Sequence, residues 1–233
     1  ARTARASSSS PRSISTNTCT RRSRPGRAGS CSSAPRPRIS SPASAWSPKA
    51  TTSVASWYFQ TGGLRRRLAL LARTADVLSA LHGKGLVYSD PSPHNIFVSE
   101  ASDATEVRFI DSDNIHYVSS AGLPTVFTPG YGAPELIRGA SGVNSLTDAH
   151  AFAVLTFQTL SLVHPLIGDA VANGPPEREE EAFAGAMPWV DDPGNSSNRC
   201  SIGIPRSVTL SARLAEISQR AFGAGLAEPL QRP

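Results

Sequence analysis

Tyr88-Ser89-Asp90-Pro91-Ser92-Pro93-His94-Asn95, followed downstream by Phe109-Ile110-Asp111, sets two carboxylates and an amide around a proline-punctuated turn. Leu86-Val87-Tyr88 and Ile96-Phe97-Val98-Ser99 are short, apolar and β-prone, which places Asp90 and Asn95 on one loop between two strands. Glu106-Val107-Arg108-Phe109-Ile110 reads as a third strand that delivers Asp111 at its end. The loop can thus aim both Asp90 and Asn95 into one cleft. Amide and carboxylate oxygens suit Mg²⁺, a hard cation that also bridges phosphates, and a second carboxylate can accept the proton of an attacking hydroxyl.

Asp90-x-x-x-x-Asn95 resembles the protein-kinase catalytic loop, with Tyr-Ser-Asp where the family usually has His-Arg-Asp. Asp111-Ser112-Asp113 resembles its Asp-Phe-Gly motif. Thr128-Pro129-Gly130-Tyr131-Gly132-Ala133-Pro134-Glu135 is similar to the end of the activation segment, closing in Ala-Pro-Glu. Ser145-Leu146-Thr147-Asp148 looks like the start of the large buried helix of the C-lobe, and Phe222-Gly223 through Arg232-Pro233 like its last helical segment. The five blocks occur in the family's order, and the resemblance covers residues 57–233. It implies an α+β, protein-kinase-like fold: a mainly helical C-lobe with a few short strands.

Composition divides the chain in two. Residues 1–75 hold thirteen Arg, Lys49 and no acid, a charge of +14, whereas residues 76–233 sum to −9, so the formal +5 averages two unlike halves. A high isoelectric point of that origin does not describe a basic enzyme surface. Residues 1–56 are Arg, Ser, Ala, Pro and Thr without helical or strand periodicity, a composition that cannot offset ordering entropy and reads as disordered. Four readings compete for this segment. A transit peptide fits the Arg and Ser content but lacks amphipathic spacing. A nucleic-acid-binding tail fits the charge but lacks aromatic interleaving. A linker is the plain reading. A shifted reading frame through GC-rich DNA is favoured, because a kinase should carry its N-lobe here.

The parts of that N-lobe are absent from the sequence. No Gly-x-Gly-x-x-Gly precedes Asp90, the only lysines are Lys49 and Lys84, and the first Glu is Glu100, so no strand Lys with a helix Glu partner can be assembled to clamp ATP. The start at Ala1 without Met and the stop at Arg232-Pro233 agree with a fragment truncated in its last helix.

The C-lobe pattern is fuller. Leu64, Leu68, Leu71, Ala75, Leu78 and Leu81 recur at helical spacing, Gly83 is placed to cap, and Arg65, Arg66, Arg67 and Arg73 read as a solvated face. Ser145 with Asp148 is an S-x-x-D start signal before a helix that is apolar almost all round, through Phe152, Val154, Leu155, Phe157, Leu160 and Leu162 to the stop at Pro165. A short helix begins after Pro175-Pro176, loops follow from Trp189 to Asn198, and Leu210 to Phe222 supplies a final amphipathic helix.

The resemblance implies roles. Asp90 would be the catalytic base and Thr128 the residue that bonds it and marks Ser/Thr specificity; Asn95 and Asp111 would hold Mg²⁺ with ATP. Glu135 with Arg232, and Asp148 with the loop backbone, would be structural. Tyr88 would occupy a packing position. Ser92 stands where many Ser/Thr kinases have Lys, and Ser112 and Asp113 stand where the family has Phe and Gly. The substrate implied is a protein Ser or Thr hydroxyl.

His82, His94, His116, His150 and His164 show no metal spacing, and Cys19, Cys31 and Cys200 suggest no disulfide framework, which fits a reducing, cytoplasmic setting. No membrane span, signal peptide or specific nucleic-acid contact is expected, and the oligomeric state is not written in the sequence. Three functions remain: a Ser/Thr protein-kinase-like domain of bacterial type, inactive without an N-lobe; a non-catalytic pseudokinase or binding module; and a small-molecule phosphotransferase of the aminoglycoside or choline kinase kind. The Thr128–Glu135 segment favours the first over the third.

Overall fold

The structure, a computed structural model, describes residues 51–52, 62–101, 103–118 and 126–233. The segment read as disordered lies outside the described residues, except for Thr51–Thr52.

Leu64–His82 forms α1. Its buried face runs through Arg66, Leu70, Leu71, Thr74 and Leu78, while Leu64 and Leu68 are 37% and 38% exposed. The buried stripe is therefore rotated from the leucine spacing. Thr74 joins it by returning its hydroxyl to the Leu70 carbonyl at 2.9 Å, which lets a polar residue face the core. Gly83 is the C-cap of α1, as expected, right-handed at φ −62 with its N–H donating to the Ser79 carbonyl at 2.9 Å, and Gly85, at φ 71, is the left-handed residue that then turns the chain.

Two small sheets follow. Ile96–Ser99 (β3) pairs antiparallel with Val107–Phe109 (β4) and on its other side with Thr51–Thr52 (β1). Leu86–Val87 (β2) pairs instead with His116–Tyr117 (β5). The three expected strands thus belong to two separate sheets. In β3, Ile96 and Val98 face the core with the strand's period of two.

Pro134–Ile137 (α2) leads to Ser145–Ser161 (α3), the helix around which the rest packs. Its cap is Asn144, one residue before the expected Ser145: the Asn144 Oδ1 accepts from the N–H of Leu146 and Thr147, and Thr147 returns its hydroxyl oxygen to the Asn144 N–H at 2.9 Å. That frees Asp148 from capping. Leu162, at φ 60 and 37% exposed, turns the chain out after α3 instead of extending its buried face. Asp169–Ala172 (α4), Glu177–Phe183 (α5), Arg206–Thr209 (α6), Ala212–Phe222 (α7) and Ala224–Ala227 (α8) complete the described helices. The architecture is mostly helical with a few short strands, in agreement with the expected α+β class.

The core joins Leu70 and Leu71 of α1, Ile96 and Val98 of β3, and Val154, Leu155, Phe157 and Leu160 of α3 to Trp189, Ala221 and Phe222. At its centre the Phe157 ring meets Trp189 and Phe222 edge-on at 5.8 and 5.9 Å. Such pairs add roughly 0.5–1.5 kcal/mol beyond area burial. Phe157 stands about 14 Å along the α3 axis from Asp148, at 1.5 Å per residue.

Candidate active site

Asp148 is wholly buried near the N-terminus of α3. Its Oδ2 accepts from the Tyr88 N–H at 2.8 Å and from His82 Nε2–H at 2.9 Å, and its Oδ1 accepts from the Ser89 N–H at 2.9 Å. A charged side chain of the most buried helix thus fixes the backbone just ahead of Asp90. Ser89 sits at φ 79, a left-handed conformation that costs a non-glycine residue of order 1–3 kcal/mol. Its hydroxyl donates to the Asn114 carbonyl at 2.8 Å, which ties the turn to the segment after Asp111.

Asp90 is only 7% exposed. Its Oδ1 accepts from the Thr128 N–H at 3.0 Å, and its Oδ2 accepts from the Thr128 hydroxyl at 2.7 Å and from Asn95 Nδ2 at 2.9 Å. The fully buried Ser92 hydroxyl lies 2.8 Å from Thr128 Oγ1. A hydroxyl has one proton, so when Thr128 gives its own to Asp90, Ser92 donates to Thr128. Thr128, more than thirty residues downstream, is in this way joined to Asp90, Ser92 and Asn95 in one network.

Asp111 reaches the same region through the β3–β4 ladder. Ile96 pairs with Phe109, and the Ile110 N–H donates to the Asn95 carbonyl at 2.9 Å, so Asn95 and Asp111 flank one end of the ladder. The Tyr88 hydroxyl closes that end: it donates to the Ile110 carbonyl, with the Asn95 carbonyl 3.1 Å away. Burial, followed by the carboxylates of Asp90, Asp111 and Asp148, raises the Tyr88 pKa far above the ordinary phenol value and keeps it a donor. Its position was expected to serve packing; it also carries a hydrogen bond, and nothing in the sequence pattern announced that. Asp111 itself is exposed, at φ 56, with Oδ2 accepting from Asn114 Nδ2 at 3.0 Å. Asn95 Oδ1 has no hydrogen bond among the described residues, and no cluster of three or more His, Cys, Asp or Glu suited to a metal occurs among them.

The Arg232 guanidinium donates edge-on to the Glu135 carboxylate in a two-pronged pair, at 2.5 and 2.7 Å, with both side chains almost wholly buried. Arg232 also donates to the carbonyls of Gly225 and Leu146 at 2.9 and 3.0 Å. One guanidinium therefore joins α2, the start of α3 and the start of α8. Gly130 needs its left-handed φ of 85, and its carbonyl accepts from His164 Nε2–H at 2.9 Å. His164 Nδ1 accepts from the Leu166 N–H at 3.1 Å, so the neutral ring is fully used. Burial lowers its pKa to about 4, against which the Gly130 bond acts only in part.

No protein-family model matches the chain. Among curated proteins it is similar to the serine/threonine-protein kinase pkn2 of Myxococcus xanthus, 34% identical over 116 residues, which is 46% of this chain and 14% of that protein. PknG of Mycobacterium leprae is 35% identical over 96 residues, 41% of this chain and 12% of that one. The DNA damage-responsive serine/threonine-protein kinase RqkA of Deinococcus radiodurans is 28% identical over 115 residues, 47% of this chain and 16% of that one. The matched stretch is thus a small part of each relative's length. Among the described residues no helix is long and apolar enough to cross a membrane. Over a little under half its length, this chain is similar to Ser/Thr protein kinases of mainly bacterial origin.

Proposed function

We propose that residues 57–233 form the lower, helical lobe of a Ser/Thr protein-kinase domain and supply its base and metal-binding half. The observation that carries this reading is the Asp90 carboxylate, held on both oxygens by Thr128 and on one by Asn95. Asp90 accepts the proton of a protein Ser or Thr hydroxyl, and Thr128 with Asn95 fixes the direction in which it does so.

Mg²⁺ fits the residues present. Asn95 Oδ1 carries no protein hydrogen bond, Asp111 stands beside it at the ladder's end, and Mg²⁺ is commonly held by one or two such groups with phosphates completing its shell. When bound, the ion neutralises phosphate charge. The fit to ATP is incomplete: the 233 residues include no Gly-rich loop and no Lys with a Glu partner to cradle the phosphates. Catalysis by positioning needs both walls of a cleft, so these residues alone bind ATP weakly and transfer no phosphate. The missing clamp equally suits a non-catalytic binding module, whereas the Thr128–Glu135 segment closing on Asp90 argues against a small-molecule phosphotransferase.

The test is a radiolabelled ATP·Mg²⁺ transfer assay on the purified 233-residue chain with a generic protein substrate and Asp90→Asn as control. No transfer is expected from either. Transfer that disappears in the control would overturn the half-site reading, and transfer to a small-molecule alcohol would replace it with the phosphotransferase.

A further inference from the structure

Trp189 is 3% exposed, and its indole N–H has no hydrogen-bond partner. Arg206 is in the same state at one atom. Its Nε donates to Asp191 at 2.9 Å, Nη1 reaches the carbonyls of Ile202 and Ile204 only at 3.5 Å, and the buried Nη2 has no partner. An unpaired buried donor forfeits its hydration without compensation, so two in residues that line one cleft mark a place that lacks an acceptor.

Both residues line one cleft of about 460 Å³. Arg199 and Gln219 line it too, and their side chains make no hydrogen bond among the described residues. Asp191 is the one carboxylate on its wall and is already engaged by Arg206. Donors exceed acceptors, and two guanidiniums face one carboxylate, leaving a single positive charge. The Arg206 guanidinium is held over the Phe157 ring, 5.6 Å from its centroid, and its side chain keeps 20% exposure toward solvent. Pro205 and Leu210 supply an apolar wall.

We infer that this cleft is a second ligand site, separate from Asp90, that takes a small monocarboxylate with an apolar body. A guanidinium edge matches a carboxylate in planar geometry, the single negative charge balances the cleft, and the apolar remainder lies against Pro205 and Leu210. The inference does not depend on the kinase reading.

The test titrates benzoate into the isotope-labelled 233-residue chain and follows the indole N–H signals by NMR. Trp46, Trp57 and Trp189 give three such signals, and Trp189→Phe identifies the relevant one. If that variant unfolds, Trp46→Phe and Trp57→Phe identify it by elimination. Benzoate should shift the Trp189 signal saturably with a Kd of about 1 mM or tighter, and benzyl alcohol should not. Arg206→Met and Arg199→Met should each weaken binding about tenfold or more, the loss of one charge-assisted contact. Arg199 is exposed and has no partner, so its variant decides the matter if Arg206→Met is unfolded. No saturable shift, an equal shift with benzyl alcohol, equal affinity for inorganic phosphate, or undiminished binding by the folded Arg199→Met chain would each overturn the inference.

Discussion

The Asp148 carboxylate accepts the Ser89 N–H at 2.9 Å while Ser89 holds a left-handed φ of 79. The strained residue is kept in place by a bond to its own backbone, so the two features should respond together to substitution. Asp148→Ala leaves two backbone N–H groups without acceptors and should cost about 2–6 kcal/mol in urea unfolding, at 1–3 per orphaned group. Ser89→Gly relieves the strain while losing one hydroxyl bond and should stay within about 1 kcal/mol of the parent. Ser89→Val, β-branched at positive φ, should be destabilised by more than 1 kcal/mol or so. Equal stability of the Gly and Val variants would contradict this account.

Glu135 and Arg232 should behave as one unit. Removing either partner strands a buried charge, and Glu135→Ala or Arg232→Ala should each destabilise by about 3–5 kcal/mol. The double variant should cost clearly less than the sum of the two, by roughly 1–3 kcal/mol in a double-mutant cycle. Additive losses would mean that the two side chains act separately.

Two histidines, the fully buried His150 and the half-buried His164, set an acid limit. His164 titrates at about 4 in the fold against 6.5 unfolded because it is buried, and burial, then the charges of Arg232 and His164, holds His150 well below its ordinary value. Below pH 6.5 the unfolded chain takes protons that the folded chain refuses. Stability therefore falls as pH drops through 6.5 and goes on falling until His164 protonates near 4. His164 alone accounts for roughly 3 kcal/mol of that loss, the gap between 6.5 unfolded and about 4 in the fold. Neither nitrogen of His150 has a hydrogen bond, so His150→Leu should flatten the profile between pH 6.5 and 4 without loss of stability at pH 7.5. Urea midpoints across that range measure it, and an unchanged slope would count against the histidine explanation.

Metal binding can be read without activity. Mn²⁺, a paramagnetic stand-in for Mg²⁺, should broaden the backbone signals of Asn95 and of residues 111–114 before those of the exposed acidic run Glu177–Glu181. Asp111→Asn should remove the preference. Broadening confined to Glu177–Glu181 would deny Asn95 and Asp111 their role.

Arginines separate what the sequence makes legible from what it does not. Four of them on α1 read as one solvated face, and Arg65 and Arg73 are exposed as expected. Arg66 is buried, donating to the carbonyls of Ser99, Ala101 and Ala104 at 2.5, 2.8 and 3.0 Å, and Arg67 reaches the Thr159 carbonyl at 3.0 Å. Helical spacing tells which residues share a face, but the acceptors that make a buried guanidinium tolerable come from a turn more than thirty residues away. Arg66→Ala should cost about 2–4 kcal/mol, since charged hydrogen bonds are worth 1.5–3 each and partly compensate one another, whereas Arg65→Ala and Arg73→Ala should remain within about 0.5 kcal/mol.

The candidate site was legible for a different reason. Asp90 and Asn95 lie close enough in sequence for one turn to bring them together, and the run Thr128–Glu135 is distinctive in composition. Tyr88, Ser89 and Ser92 act through a phenol, a backbone angle and a relayed hydroxyl, none of which leaves a periodic trace. The two-sheet pairing was hidden likewise, because register depends on the partner strand and not on the strand's own residues.

A carboxylate offers about four lone pairs for hydrogen bonds. On Asp90, Oδ2 spends both of its own on Thr128 and Asn95, and Oδ1 spends one on the Thr128 N–H. One remains, on Oδ1. The carboxylate is therefore directional by itself: it keeps a single open acceptor on a side chain that cannot rotate without breaking three bonds, and under the proposed function that acceptor is the one a hydroxyl would meet.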